Sequence, residues 1–244
     1  MNVFVNTEKI KGVVKLSTLL YSLTLCLLLA LVGPSLHAAS VSEQVKNDCA
    51  GCHALMAPGG NLLTERMTRT GPALYYAGSK YNAAWMEKWL QAPTQVRPGG
   101  EFFAQHTVVT DEGDIIDQST LTTHPVLSSA TAAAMTQHLM TLQGTTKNQL
   151  DYKYKAKKSS RKMGAMNFGK FKGCKACHQD EAGYGGLSGP ELHSVFSRLQ
   201  PNFIASYIRD PQQWEPRSLM PNKQLNDKEI QKLMDYFNLL GGEL

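Results

Sequence analysis

The chain has 244 residues, enough for one large domain or two small ones, and its 25 Lys/Arg against 20 Asp/Glu leave a formal net charge of +5. That net value hides a partition: residues 40–146 sum to −3, residues 147–175 to +9 and residues 176–244 to −3. Two mildly acidic lobes joined by a basic strap offer no continuous basic face, which argues against nucleic acid as a target.

Residues 1–39 have the order of an export signal. Lys9, Lys11 and Lys15 come first, an apolar run over residues 16–32 follows, and Gly33, Pro34 and the small-residue stretch "SLHAAS" close it. The order reads as a secretory signal cleaved after Ala38 or Ala39, and the length of the run keeps a retained membrane anchor as the alternative. Cys26 lies inside the run and leaves with it on cleavage; Leu23-Thr24-Leu25 ahead of it lacks the small residue of a lipoprotein signal. The exported chain then holds four cysteines, and the expected compartment is the bacterial periplasm.

All four belong to one motif written twice, Cys49-Ala50-Gly51-Cys52-His53 and Cys174-Lys175-Ala176-Cys177-His178. A disulfide within either motif closes a tiny loop and stabilises little. A zinc ribbon wants two Cys-x-x-Cys knuckles at short spacing, whereas 125 residues separate these. A thioredoxin-type redox site does not require the histidine. Covalent haem attachment uses every position: two thiols add to the two vinyl groups at one porphyrin edge, and the adjacent imidazole reaches the iron as proximal ligand. The motifs therefore read as two haem c groups, tethered by Cys49, Cys52, Cys174 and Cys177 and ligated by His53 and His178.

The chain between the motifs repeats too. At an offset of 118, Gly71-Pro72-Ala73-Leu74 faces Gly189-Pro190-Glu191-Leu192, Trp85 faces Phe203, and Trp89-Leu90 faces Tyr207-Ile208. Pro93, Gln95 and Pro98 face Pro211, Gln213 and Pro216. With its Cys-x-x-Cys-His, Gly-Pro-x-Leu, aromatic helix, Met-Pro and closing helix, the sequence resembles a tandem of class I c-type cytochromes over residues 40–144 and 164–242. The resemblance implies that the Pro72 and Pro190 carbonyls receive the rings of His53 and His178, which orients the proximal ligands. It also implies that Met220, in "SLMPNKQLNDKE", is the sixth ligand of the second haem. Pro221 keeps Met220 out of a helix. Asn226 with Glu229 predicts a cap for a last helix with Ile230, Leu233, Met234, Phe237 and Leu240 on one stripe.

The first half departs from this pattern, because it has no Met-Pro. Its closing helix, from Ser128 or Ser129 to Gly144, matches that of the second half at an offset of 98, and His124-Pro125 stands near the place of Met220-Pro221. His124 is thus the leading candidate for the sixth ligand of the first haem. His106 is its rival, since its distance from Pro98 is closer to that of Met220 from Pro216; Met67, Met86 or an open iron remain as further alternatives. The longer connection contains "HTVVTDEGDIID", which predicts a β-hairpin turning near residues 111–113. His138 and His193 read as ordinary core or surface histidines.

The expected fold is all-α: two cytochrome c-like helical haem domains, residues 40–146 and 164–244, joined by a basic linker over 147–163, with the hairpin inserted in the first. The expected function is electron transfer between redox partners, as a soluble shuttle or as the cytochrome subunit of a dehydrogenase complex. The alternative is a haem enzyme that acts on peroxide or an inorganic sulfur compound at the first site. The strap reads first as a solvated linker; its Lys170, Lys172 and Lys175 also stand close enough to the second motif to steer an acidic partner. Membrane contact is expected only through an uncleaved anchor or an anionic surface.

Overall fold

The computed structural model describes residues 41–59, 67–145 and 152–242. The export segment and Cys26 lie outside the described residues, and among the described residues no helix is long and apolar enough to cross a membrane. Residues 1–45 and 46–244 form separate compact units; of the first, the described part is the helical stretch 41–45. Both Cys-x-x-Cys-His motifs fall in the second unit.

In chain order its main elements are α1 (Ala77–Lys80), α2 (Ala83–Gln91), β1 (Thr107–Thr110), β2 (Gly113–Ile116), α3 (Ser129–Leu139) and α4 (Arg161–Ala165), which runs on as a π-helical turn over Met166–Phe171. There follow β3 (Gln179–Glu181), β4 (Tyr184–Gly185), α5 (Val195–Arg198), α6 (Pro201–Arg209), α7 (Pro211–Trp214) and α8 (Asp227–Gly241). The repeat seen in the sequence survives folding in its paired helices. At the offset of 118, α1 and α2 coincide with α5 and α6; α3 and α8 both start at the offset of 98.

Local chemistry accounts for the helix starts. Pro201 occupies the first turn of α6, where its missing N–H costs nothing. Ser128 caps α3 by accepting from the Thr131 amide at 3.2 Å. At α8 the expected box is complete: Asn226 Oδ1 accepts from the Glu229 amide at 3.1 Å, and Glu229 Oε2 accepts from the Asn226 amide at 3.0 Å. The stripe Ile230, Leu233, Met234, Phe237 and Leu240 is buried, packed with Phe168, Val195, Ile204 and Ile208 into the core of the second half. In the first half α2 packs on α3, burying Met86 and Leu90 against Ala132, Met135 and Leu139.

The all-α expectation is corrected by this structure, which combines helices with two small antiparallel sheets. The hairpin β1–β2 is present with Thr107 opposite Ile116 and Thr110 opposite Gly113. A second sheet follows the second motif directly, Gln179 opposite Gly185 and Glu181 opposite Tyr184. Its strands have only two or three residues and no apolar alternation, so the sequence pattern carried no strand signal. What makes the turn possible is glycine at Gly183 and Gly185, with φ of 73° and 129°.

Part of the basic strap is bound to the second half. Tyr152 donates to Gln231 Oε1 at 2.6 Å, Tyr154 to Asp235 Oδ1 at 3.1 Å, and the Lys157 amide to the same Asp235 oxygen at 2.9 Å. Tyr152 and Tyr154 are half-buried while Lys153, Lys155, Lys157 and Lys158 are exposed. Residues 152–157 thus lie along α8, and α4 begins at Arg161 on a Ser160 cap.

The two halves meet in a seam that respects the repeat. Asn82 donates its amide to the Arg198 carbonyl at 2.8 Å, and Gln200 donates its amide to the Lys80 carbonyl at 2.9 Å. Those two bonds are the same bond, exchanged between halves. Around them Ala73, Tyr76, Phe203 and Trp214 form a shared buried cluster.

Candidate functional site

Each motif folds into one tight turn, and the turn is identical in the two halves. The amides of Cys52 and His53 both donate to the Cys49 carbonyl, at 3.1 and 2.9 Å; those of Cys177 and His178 both donate to Cys174, at 3.1 and 3.1 Å. Gly71 returns to the Cys52 carbonyl at 3.0 Å as Gly189 does to Cys177 at 2.7 Å. The residue after each histidine then accepts from the leucine of Gly-Pro-x-Leu: Ala54 from Leu74 at 2.9 Å, Gln179 from Leu192 at 2.7 Å. The four cysteines are unbridged; Cys49 and Cys174 are half-buried, and burial pushes both thiols up, while Cys52 and Cys177 are exposed.

The imidazoles are held from one side. His53 Nδ1 sits 2.7 Å from the Pro72 carbonyl and His178 Nδ1 2.8 Å from that of Pro190, which makes Nδ1 the protonated nitrogen and leaves Nε2 as the free lone pair. Burial lowers the pKa of both rings; the prolyl carbonyls oppose this, and His124 and Arg69 reinforce it at His53, as Arg97 and Arg198 do at His178. Both rings are thereby kept neutral, the state that ligates a metal. A β-carbon at Gly71 would lie 2.5 Å from the His53 ring, and one at Gly189 2.5 Å from that of His178. Only glycine admits the histidine ring so close to the backbone.

His124 faces His53. The ring centroids are 6.3 Å apart with planes inclined at 61°. Two imidazoles holding one metal ion from opposite sides, at about 2.0 Å each, have centroids roughly 6.2–6.4 Å apart. The His124 Nδ1 is 2.8 Å from the Pro125 carbonyl, so its Nε2 is free as well. His106 is engaged elsewhere: its Nδ1 is 2.8 Å from Thr120 Oγ1 and its ring lies over Gly100 at the base of the hairpin. Met86 is buried in α2, and Met67 is exposed.

In the second half Met220 lies at a bend outside the helices, at the edge of the core cluster that also receives Cys174 and Leu192. Its amide donates to Ser218 Oγ at 3.2 Å, its carbonyl accepts from Gln212 Nε2 at 2.7 Å, and Ser218 Oγ is 2.9 Å from the Tyr207 hydroxyl.

Two features went unread in the sequence. One is a ladder of rings, Tyr81, Trp85 and Trp89, stacked at 5.7 Å per step and ending T-shaped against His124 at 4.7 Å. The four-residue spacing of Tyr81, Trp85 and Trp89, the last two on α2, was its signal. The other is a charge network across the seam. Arg69 donates to Glu215 Oε2 at 2.6 Å and to Glu101 Oε1 at 2.7 Å, and Arg217 donates to Glu215 Oε1 at 3.0 Å. Since 146 residues separate Arg69 from Glu215, no local pattern announces this network.

Of the three lysines near the second motif, two are engaged. Lys172 pairs with Glu229, and Lys175 pairs with the buried Asp180 at 2.8 Å while lying 4.1 Å above the Tyr184 ring. Lys170 is exposed.

Among the described residues no three His, Cys, Asp or Glu side chains gather as a metal site of their own. A haem asks less, because the porphyrin supplies four nitrogens and the chain only the axial ligands. No family model, curated protein or solved structure matches this chain.

Proposed function

We propose that the protein is an exported dihaem c-type cytochrome that passes electrons between redox partners. The observation that carries this reading is the pair His53 and His124, two imidazoles with free Nε2 atoms at the spacing of axial ligands. The duplicated Cys-x-x-Cys-His turn and the glycine cradle beside each proximal ring support it. Bound haem supplies reversible one-electron chemistry. Cys49 and Cys52 would tether one group, Cys174 and Cys177 the other. The Pro72 and Pro190 carbonyls fix the tautomer and plane of the proximal rings.

His124 would hold the iron of the first haem together with His53, which favours transfer over the alternative of catalysis on peroxide or an inorganic sulfur compound, since either reaction needs an open position. Met220 would hold the iron of the second haem together with His178. A thioether favours ferrous iron relative to a second imidazole, so a haem held by His178 and Met220 would have the higher potential and would receive electrons from one held by His53 and His124. Export to the periplasm is part of the proposal and rests on residues 1–39. The partners are redox proteins; an acidic acceptor would meet the exposed Lys170 beside the second motif.

Electron paramagnetic resonance and resonance Raman spectra of the purified holoprotein test the reading. Six-coordinate low-spin iron at both sites is expected. A high-spin ferric first site would turn the assignment to the enzyme.

A further inference from the structure

His53 and His124 are oriented by different means. The His53 ring is tied to a carbonyl 19 residues away, whereas the Nδ1 contact of His124 goes to the next residue and moves with it. From α2 the indole of Trp89 packs on the His124 ring, with centroids 4.7 Å apart. That indole is itself fixed: its Nε1 donates to the Thr94 carbonyl at 3.0 Å, and Trp85 stacks behind it at 5.7 Å and 27°, with Tyr81 behind Trp85 at 5.7 Å and 16°. In the second half the same repeat position is linked to the backbone of Met220. Tyr207, the counterpart of Trp89, reaches through its hydroxyl to Ser218 Oγ, which accepts the amide of Met220.

We propose, resting on the dihaem reading above, that Trp89 is a positioning residue for the sixth ligand of the first site: it sets the plane of His124 and hence the 61° twist between the two axial imidazoles. The twist has a direct electronic consequence. Each imidazole donates π density perpendicular to its own ring, so parallel rings split two iron d orbitals and steeply inclined rings leave them nearly degenerate. Near-degeneracy gives a strongly anisotropic low-spin ferric signal. Trp89 also braces the ring against swinging away, which keeps external ligands off the iron.

The test compares wild type, Trp89→Leu, Trp89→Phe and His124→Ala as holoproteins. The readouts are the ferric electron paramagnetic resonance spectrum and the affinity of the ferrous protein for carbon monoxide. Trp89→Leu is expected to move the first-site signal toward lower anisotropy or mixed spin and to raise carbon monoxide affinity at least tenfold. The methionine charge-transfer band of the second site stays unchanged as an internal control. Trp89→Phe, which keeps an aromatic face but loses the bond to Thr94, is expected to lie between the two. It also decides the matter if Trp89→Leu does not accumulate. A first-site signal and carbon monoxide affinity equal to wild type in the folded Trp89 variants, with His124→Ala high-spin, overturns the role of Trp89 alone. A low-spin signal unchanged in His124→Ala overturns the ligand assignment and this proposal together.

Discussion

Tyr81 and Leu199 meet across the seam as a single antiparallel bridge, and they are the same position of the repeat, 118 residues apart. A contact between equivalent positions lies on the local two-fold axis, and the exchanged bonds of Asn82 with Arg198 and of Gln200 with Lys80 flank it as such an axis requires. The two halves therefore bind each other as protomers of an isologous dimer do, with a covalent strap in place of a second chain.

Equivalent residues should carry equivalent loads. Asn82 Nδ2 donates to the Ser197 carbonyl at 3.0 Å, and Gln200 Nε2 donates to the Gly78 and Tyr81 carbonyls at 2.8 Å each. Asn82→Ala and Gln200→Ala are each expected to lower unfolding stability by about 1–3 kcal/mol, because either leaves carbonyls of the other half without their donor. Denaturant titration measures both, and a silent Asn82→Ala beside a costly Gln200→Ala would break the symmetry argument.

Glu215 makes the seam sensitive to acid. Burial alone would raise its pKa, but the hydrogen bond from Arg217 and the charge of Arg69 outweigh burial and hold the carboxyl below its ordinary value. A depressed folded value means the stabilisation is complete above the unfolded value, about pH 4.3, and is lost as the pH falls through the lower folded value. Glu215→Gln is expected to cost about 3 kcal/mol at neutral pH, since buried Arg217 and half-buried Arg69 each lose one ionised partner. The gap between variant and wild type should narrow below about pH 4. A gap that stays constant down to pH 3 would contradict the ion-pair account.

Glycine should be required beside the His53 and His178 rings and dispensable inside the motif. Gly71→Ala or Gly189→Ala puts a methyl group 2.5 Å from a histidine ring and should displace it, so each is expected to reduce low-spin haem at its own site only. Gly51→Ala meets nothing within 4 Å and should load haem as wild type does. Absorption and resonance Raman spectra of the three variants separate these outcomes; normal spectra for Gly71→Ala would show that the ring does not lie on that backbone.

The lysines beside the second motif should divide by function. Lys175→Glu places a carboxylate against buried Asp180 and is expected to lower the melting temperature by several degrees. Lys170→Glu is expected to leave the melting temperature unchanged and to weaken the ionic-strength dependence of electron delivery to an acidic acceptor. If Lys170→Glu melts early, that side chain is structural and the docking argument fails.

Local patterns were more legible than the fold class. Cys-x-x-Cys-His and Gly-Pro-x-Leu are local patterns, and the offset of 98 between the closing helices pointed to His124 because a short connection fixes where the preceding residue lands. Counting from Pro98 favoured His106, but the hairpin places that ring against Gly100, and the chain returns to His53 only afterwards, at His124. The second sheet was hidden because two-residue strands have no periodicity to detect. The arginines and glutamates of the seam were hidden because they become neighbours only when the halves meet.

Intact-mass spectrometry of the mature, purified chain and of its motif variants tests the central claim most directly. Wild type should carry the mass of two covalently added haems, and Cys49→Ala with Cys52→Ala, or Cys174→Ala with Cys177→Ala, should each carry one. A wild-type chain at its unmodified mass, or two haems retained in either double variant, would contradict the assignment.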